Sequence, residues 1–147
     1  MHRTVISNTS CLIILSNVGM LDLLRDVYGT IIITDEVADE YGDPLPEWII
    51  LTSVIDKEKT RLISSGLGIG ESSTIALALE QSNSLIILDD KKARRLAKEY
   101  ELTFTGTLGV VVKAKNMGLA IDMRSVINDF KKCGFWMPSD IEQYLLS

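Results

Sequence analysis

The chain has 147 residues, a formal net charge of −5 from 20 Asp and Glu against 15 Lys and Arg, and 46% apolar residues. That length and apolar share suit a single domain (1–147) around one core, and they exclude a disordered chain, a collagen-like repeat and a disulfide scaffold. The acid surplus disfavours a protein that holds nucleic acid by bulk charge alone, but not an enzyme that meets phosphate through a bound cation.

In chain order, Val5-Ile6 is a short β-branched strand that ends in the polar run Ser7-Asn8-Thr9-Ser10. A helix follows from Cys11 to Ser16. Gly19 breaks it, and Met20, Leu24, Val27 and Tyr28 resume helical spacing up to a cap at Gly29. Thr30-Ile31-Ile32-Ile33 reads as a strand buried on both faces. Thr34 caps a helix over 35–41, and 42–46 is a loop holding two of the three prolines. Residues 48–54 read as a strand and a candidate sheet edge, and 56–64 as a polar helix. The glycines of 66–70 make a turn into an apolar helix that ends near Ser82. Leu85-Ile86-Ile87-Leu88 is a second buried strand. Asp90 caps a helix in which Ala93, Leu96, Ala97 and Tyr100 keep the i, i+3, i+4, i+7 spacing. Leu102-Thr103-Phe104 is a short strand, 108–117 and 126–133 are helices, and a last helix follows Pro138. Strands alternating with helices predict a three-layer α/β/α sandwich around a mostly parallel sheet.

Several chemistries are excluded early. Cys11 and Cys133 lie far apart without a CxxC or zinc spacing and read as two reduced, buried thiols of a cytoplasmic protein. The only histidine, His2, is terminal, so His-based triads and dyads are not expected. No apolar run approaches the roughly 20 residues that span a bilayer, and the N-terminus reads as the first strand and helix rather than a signal peptide. Any chemistry falls to carboxylates, amides and hydroxyls.

In an open α/β sheet, sites form outside the carboxyl ends of the strands. Asn8 follows the first strand, Asp89 and Asp90 follow 85–88, and Thr105 and Thr107 follow 102–104. Glu36 and Glu40, four apart, share one face of the helix after the second strand, and Glu71 opens the helix after the glycines. Each has a purely structural role open to it: Asp90 as a helix cap, Glu71 as a complement to a helix dipole, Glu36 and Glu40 as solvated charge, Asn8 as a backbone-bonding turn residue. Together they form an oxygen-only acidic cluster, which repels itself unless a hard cation such as Mg²⁺ or Mn²⁺ joins it. Lys91, Lys92, Arg94, Arg95 and Lys98 are the densest basic run, either the solvated face of a helix or, for Lys91 and Lys92, a contact to phosphate. The 66–70 glycines lack the GK[ST] ending of a phosphate loop.

Val5-Ile6-Ser7-Asn8-Thr9-Ser10, Gly68-Ile69-Gly70-Glu71 with Ile75-Ala76-Leu77-Ala78, Leu88-Asp89-Asp90-Lys91-Lys92-Ala93-Arg94 and Thr105-Gly106-Thr107-Leu108-Gly109-Val110 occur in that order. The series resembles the PIN-domain superfamily, more narrowly its prokaryotic DUF3368 branch, over nearly the whole chain. The resemblance implies an α/β/α fold, a Mg²⁺- or Mn²⁺-dependent ribonuclease acting on RNA, a role as the toxin of a toxin–antitoxin pair with a cognate antitoxin, and a homodimer. It also implies that Asn8 stands where the family has its first-strand Asp, and that Glu40 in Val37-Ala38-Asp39-Glu40, Glu71 and Asp89 or Asp90 are metal ligands. Ser10 and Thr107 would be neighbouring hydroxyls. Asn8 departs from the pattern: its amide oxygen can ligate a cation but brings no charge. The alternative implied by that departure is a non-catalytic domain that binds RNA or protein.

Overall fold

Two four-residue strands, Thr4–Ser7 (β1) and Ser84–Ile87 (β4), are almost wholly buried and pair with each other in parallel, Val5 opposite Leu85 and Ile6 opposite Ile86. Residues apolar on both faces can only lie between two helical layers. The computed structural model describes residues 3–64 and 66–147, so His2 lies outside the described residues. The remaining elements are α1 (Thr9–Asn17), α2 (Asp22–Tyr28), β2 (Ile31–Ile33), α3 (Asp35–Tyr41), β3 (Ile49–Leu51), α4 (Lys57–Ile63), α5 (Ile69–Leu79), α6 (Lys91–Glu99), β5 (Thr103–Thr105), α7 (Thr107–Asn116), α8 (Met123–Lys132) and α9 (Ser139–Leu146).

The sheet is parallel throughout, in the order β3-β2-β1-β4-β5. Alternation along the strands divides the core. Val5, Ile31, Ile33, Leu85 and Ile87 pack with Leu12, Leu24, Val110 and Phe130 of α1, α2, α7 and α8. Ile6 and Ile86 face the other way, onto Ile63, Ile75, Ala93 and Ala97 of α4, α5 and α6. This is the expected α/β/α sandwich. The chain lays β2 and β3 on one side of β1, then returns to place β4 on the other. The topological switch point therefore falls between β1 and β4.

Some boundaries differ from those read in the sequence. The strand expected over 48–54 contains only Ile49–Leu51, because its neighbour β2 offers three residues to pair with. It is the expected edge, and Ile50 and Leu51 are exposed while Val54 turns into the core. Ile69 and Gly70, expected in a turn, already belong to α5. That helix ends at Leu79 rather than near Ser82, and the Glu80 carboxylate then binds the backbone N–H groups of Ile55 and Asp56, both at 2.9 Å. Cys11 is buried as expected, but Cys133 is exposed, since it caps the C-terminus of α8 beyond the last inward position, Phe130. Among the described residues no helix is long and apolar enough to cross a membrane.

Phe130 is fully buried and sits 5.4 Å from the Phe135 ring, between centroids. Phe130→Ala is expected to lower the unfolding free energy by about 3–5 kcal/mol, read from a urea titration with an unchanged slope.

Candidate active site

At the switch point the Asn8 N–H donates to the Ile87 carbonyl at 3.1 Å, which closes the β1–β4 pairing and brings the two strand ends together. Asn8 occupies the N-cap position of α1, yet its side chain makes no capping bond. It is 1% exposed, and its Oδ1 has no hydrogen-bond partner among the described residues. A buried, unpaired amide oxygen costs free energy unless something else engages it.

Three carboxylates from three further elements stand around Asn8. Glu40, near the end of α3, accepts a 2.6 Å bond from the Thr9 hydroxyl. Gly70 in the first turn of α5 lies against that same carboxylate, so closely that a Cβ there would overlap it and crowd the Thr9 Oγ1 at 3.2 Å. Glu71 accepts the Gly68 N–H at 3.3 Å. Asp90 caps α6, accepting the Ala93 N–H at 2.9 Å. Asn8, Thr9, Ser10, Glu40, Glu71 and Asp90 together line a cleft of about 380 Å³. Partial burial pushes the Glu71 carboxyl above the ordinary glutamate range. The charges of Asp90 and Glu40 push it further the same way, against the Gly68 hydrogen bond.

The β4–α6 turn separates its two acids. Asp90 faces the cleft. Asp89 points away, toward the start of α7, where it accepts the Thr107 N–H at 2.9 Å and the Thr107 hydroxyl, with the Arg94 guanidinium 3.9 Å away. Successive residues of an extended turn project to opposite sides, so one dipeptide serves two surfaces. Thr107 is buried and committed to Asp89 rather than to the cleft. Beneath this pair lies Cys11, whose thiol is pushed up to about 12 by burial and is thereby inert. Lys91 lines a neighbouring cavity with Asp89. Lys92 reaches the opposite side, toward Gly66 and Leu67. Glu36, expected on one face with Glu40, is turned to Lys57 at 3.6 Å. Of the expected residues, then, Asn8, Ser10, Glu40, Glu71 and Asp90 are brought together, while Asp89, Lys91 and Lys92 line other cavities and Thr107 is buried against Asp89.

Sequence reasoning missed Thr9 and Gly70. Thr9 lies in the polar run after β1, but nothing in that run signals its pairing with a residue 31 positions away. Gly70 read as turn material, whereas its lack of a side chain lets α5 approach α3.

Among the described residues no three His, Cys, Asp or Glu side chains converge closely enough to enclose an ion. Each cleft carboxylate already accepts one hydrogen bond, from the Thr9 hydroxyl, the Gly68 N–H or the Ala93 N–H. The donor set is nevertheless that of a hard divalent cation: oxygen only, three carboxylates, and an amide oxygen that lacks a partner. Asn8, Glu40, Glu71 and Asp90 fit such an ion in chemistry.

A parallel α/β/α sandwich with Glu40, Glu71 and Asp90 gathered at its switch point places oxygen donors where open α/β sheets form their sites. The chain belongs to the PIN-domain family: the DUF3368 family model, described as a PIN domain, matches residues 4–147. Among curated proteins none matches the chain.

Because the folded-state pKa of Glu71 lies above its unfolded value, folding takes up a proton at this site. Its contribution to stability is therefore complete below the ordinary glutamate range and is lost as pH rises through the folded value. A carbon-detected NMR titration is expected to show Glu71 titrating above an ordinary glutamate, and Asp90→Asn is expected to lower it only in part, because burial is the larger cause.

Proposed function

We propose that the chain is a metal-dependent ribonuclease that hydrolyses RNA phosphodiester bonds. The observation that carries this reading is the meeting of Asn8, Glu40, Glu71 and Asp90, from four separate elements, in one cleft of a PIN-family chain. These four would hold Mg²⁺ or Mn²⁺. The chemistry such a cation would supply when bound is neutralisation of phosphate charge and a lowered water pKa, so that the water can lose a proton and attack phosphorus as hydroxide.

The chain's own groups prepare that chemistry. The Thr9 hydroxyl, the Gly68 N–H and the Ala93 N–H each fix one oxygen of Glu40, Glu71 and Asp90, leaving the second oxygen of each carboxylate for a ligand. Fixed, preoriented donors need little reorganisation when charge develops at phosphorus. Without a cation the same three carboxylates repel a phosphate, so binding of RNA at this cleft and binding of metal are coupled.

Glu71→Gln and Asp90→Asn are each expected to abolish Mn²⁺-dependent cleavage of a single-stranded RNA. Each is also expected to weaken Mn²⁺ binding by at least roughly 10- to 100-fold, as disturbance of a metal's ligand environment does. Gel assays and calorimetric titration read the two effects. Equal cleavage by wild type and both variants would sink the assignment. Asn8→Asp is expected to tighten Mn²⁺ binding, because it restores a charge at the buried position, and to raise the Glu71 pKa further when metal is withheld. Growth arrest on expression in a bacterial host, relieved by Asp90→Asn, tests the toxin role within this reading.

A second reading, a non-catalytic PIN domain that binds RNA or a protein, is favoured by Asn8 itself, which leaves the cleft one carboxylate short of the pattern the resemblance implies. Saturable Mn²⁺ binding that is lost in Glu71→Gln counts against it.

A further inference from the structure

On the other side of the Asp89-Asp90-Lys91 turn lies a second cavity, of about 560 Å³, larger than the acidic cleft. Its inner wall is Phe104, with the Arg94 guanidinium carbon 5.4 Å from the ring centroid. Arg94 is held there from two other directions, donating to the Leu88 carbonyl at 2.6 Å and facing Asp89. The outer wall is the connection between α8 and α9. There Met137 is buried and Phe135 packs against the core, while Trp136 between them is 73% exposed. Exposed between two anchored residues, the indole buries little of its own surface, so core packing does not account for it. Lys91 stands exposed among the residues lining the cavity.

We propose that this cavity is a subsite for one nucleotide of a single-stranded nucleic acid. The base stacks on Trp136, and Lys91 and Arg94 meet the adjoining phosphate. The inference rests on the nuclease reading of the neighbouring cleft, because the strand would run from one cavity to the other across the turn they share. Aromatic platforms beside cations are the general means of holding single strands, since every unpaired base offers a π-face while a paired base does not. The local charge agrees. In a chain of net −5, Lys91 and Arg94 line this cavity against the single carboxylate of Asp89, which Arg94 faces, so the lining carries one net positive charge, that of Lys91. Its volume lies within the range of small-ligand pockets.

The test is stopped-flow binding of a short fluorescein-labelled oligo(A) RNA in Mn²⁺, read before cleavage sets in, with strand integrity checked on a gel. Wild-type tryptophan emission is expected to be quenched on binding. Trp136→Ala is expected to bind roughly five- to a hundredfold more weakly, the loss that removal of one stacking ring gives. The quenching should vanish with it, since only the half-buried Trp48 remains. Trp136→Phe is expected to retain most of the affinity, and calorimetric Mn²⁺ binding should be the same in all three proteins. RNA affinity unchanged in Trp136→Ala overturns the subsite even where Mn²⁺ binding and cleavage stand. Failure of wild type to bind Mn²⁺ overturns the reading of the cleft instead. A wild type that ignores RNA but self-associates through this face, with association lost in Trp136→Ala, overturns the subsite and assigns the face to protein contact.

Discussion

The pairing of β1 with β4 is the constraint from which the site follows. Four registered residue pairs and the closing Asn8 N–H to Ile87 carbonyl bond join segments about 80 residues apart in the chain and leave their carboxyl ends side by side. Asn8 emerges from one strand end, and Asp89 and Asp90 from the other. α3 and α5 then pack close enough, through Gly70, to deliver Glu40 and Glu71. Each acid sits where a backbone element begins or ends, so its position is as rigid as the sheet beneath it.

The cleft runs against the usual economy of folding. Like charges are gathered, one amide oxygen is buried without a partner, and Glu71 is held reluctant to ionise. Such departures from local consistency concentrate at functional sites, because a ligand relieves them. The contrast with Asp89 is instructive. It belongs to the same dipeptide as Asp90, yet it is fully employed in tying β4 to the start of α7 through Thr107 and carries no such strain. It serves as the fixed wall between two cavities, one acidic and one aromatic and basic.

Much of the fold was legible in the sequence, for physical reasons. Ile31–Ile33 and 85–88 are apolar without alternation, which only a strand covered on both faces can accept. Thr34 and Asp90 cap helices as expected, each accepting a backbone N–H, a local interaction that composition can signal; Asp122 does the same for α8, which therefore begins at Met123 rather than at 126. What failed was set by partners distant in the chain. β3 is short because β2 is short, Gly70 lacks a side chain because Glu40 fills the space beside it, and Cys133 is exposed because α8 presents only one face to the core.

The sequence by itself determined the family and the kinds of side chain on offer. With no internal histidine and an excess of carboxylates following strands, oxygen donors are what remain, and the ordered motifs point to the PIN family. Only the tertiary structure decided which carboxylates line one cleft. It separated Asp90 from Asp89, turned Glu36 away to Lys57, recruited Thr9, and set Trp136 beside Lys91 and Arg94. Residue type is a property of the chain. Direction is decided by packing, because a one-residue step along an extended turn sends a side chain to the opposite side.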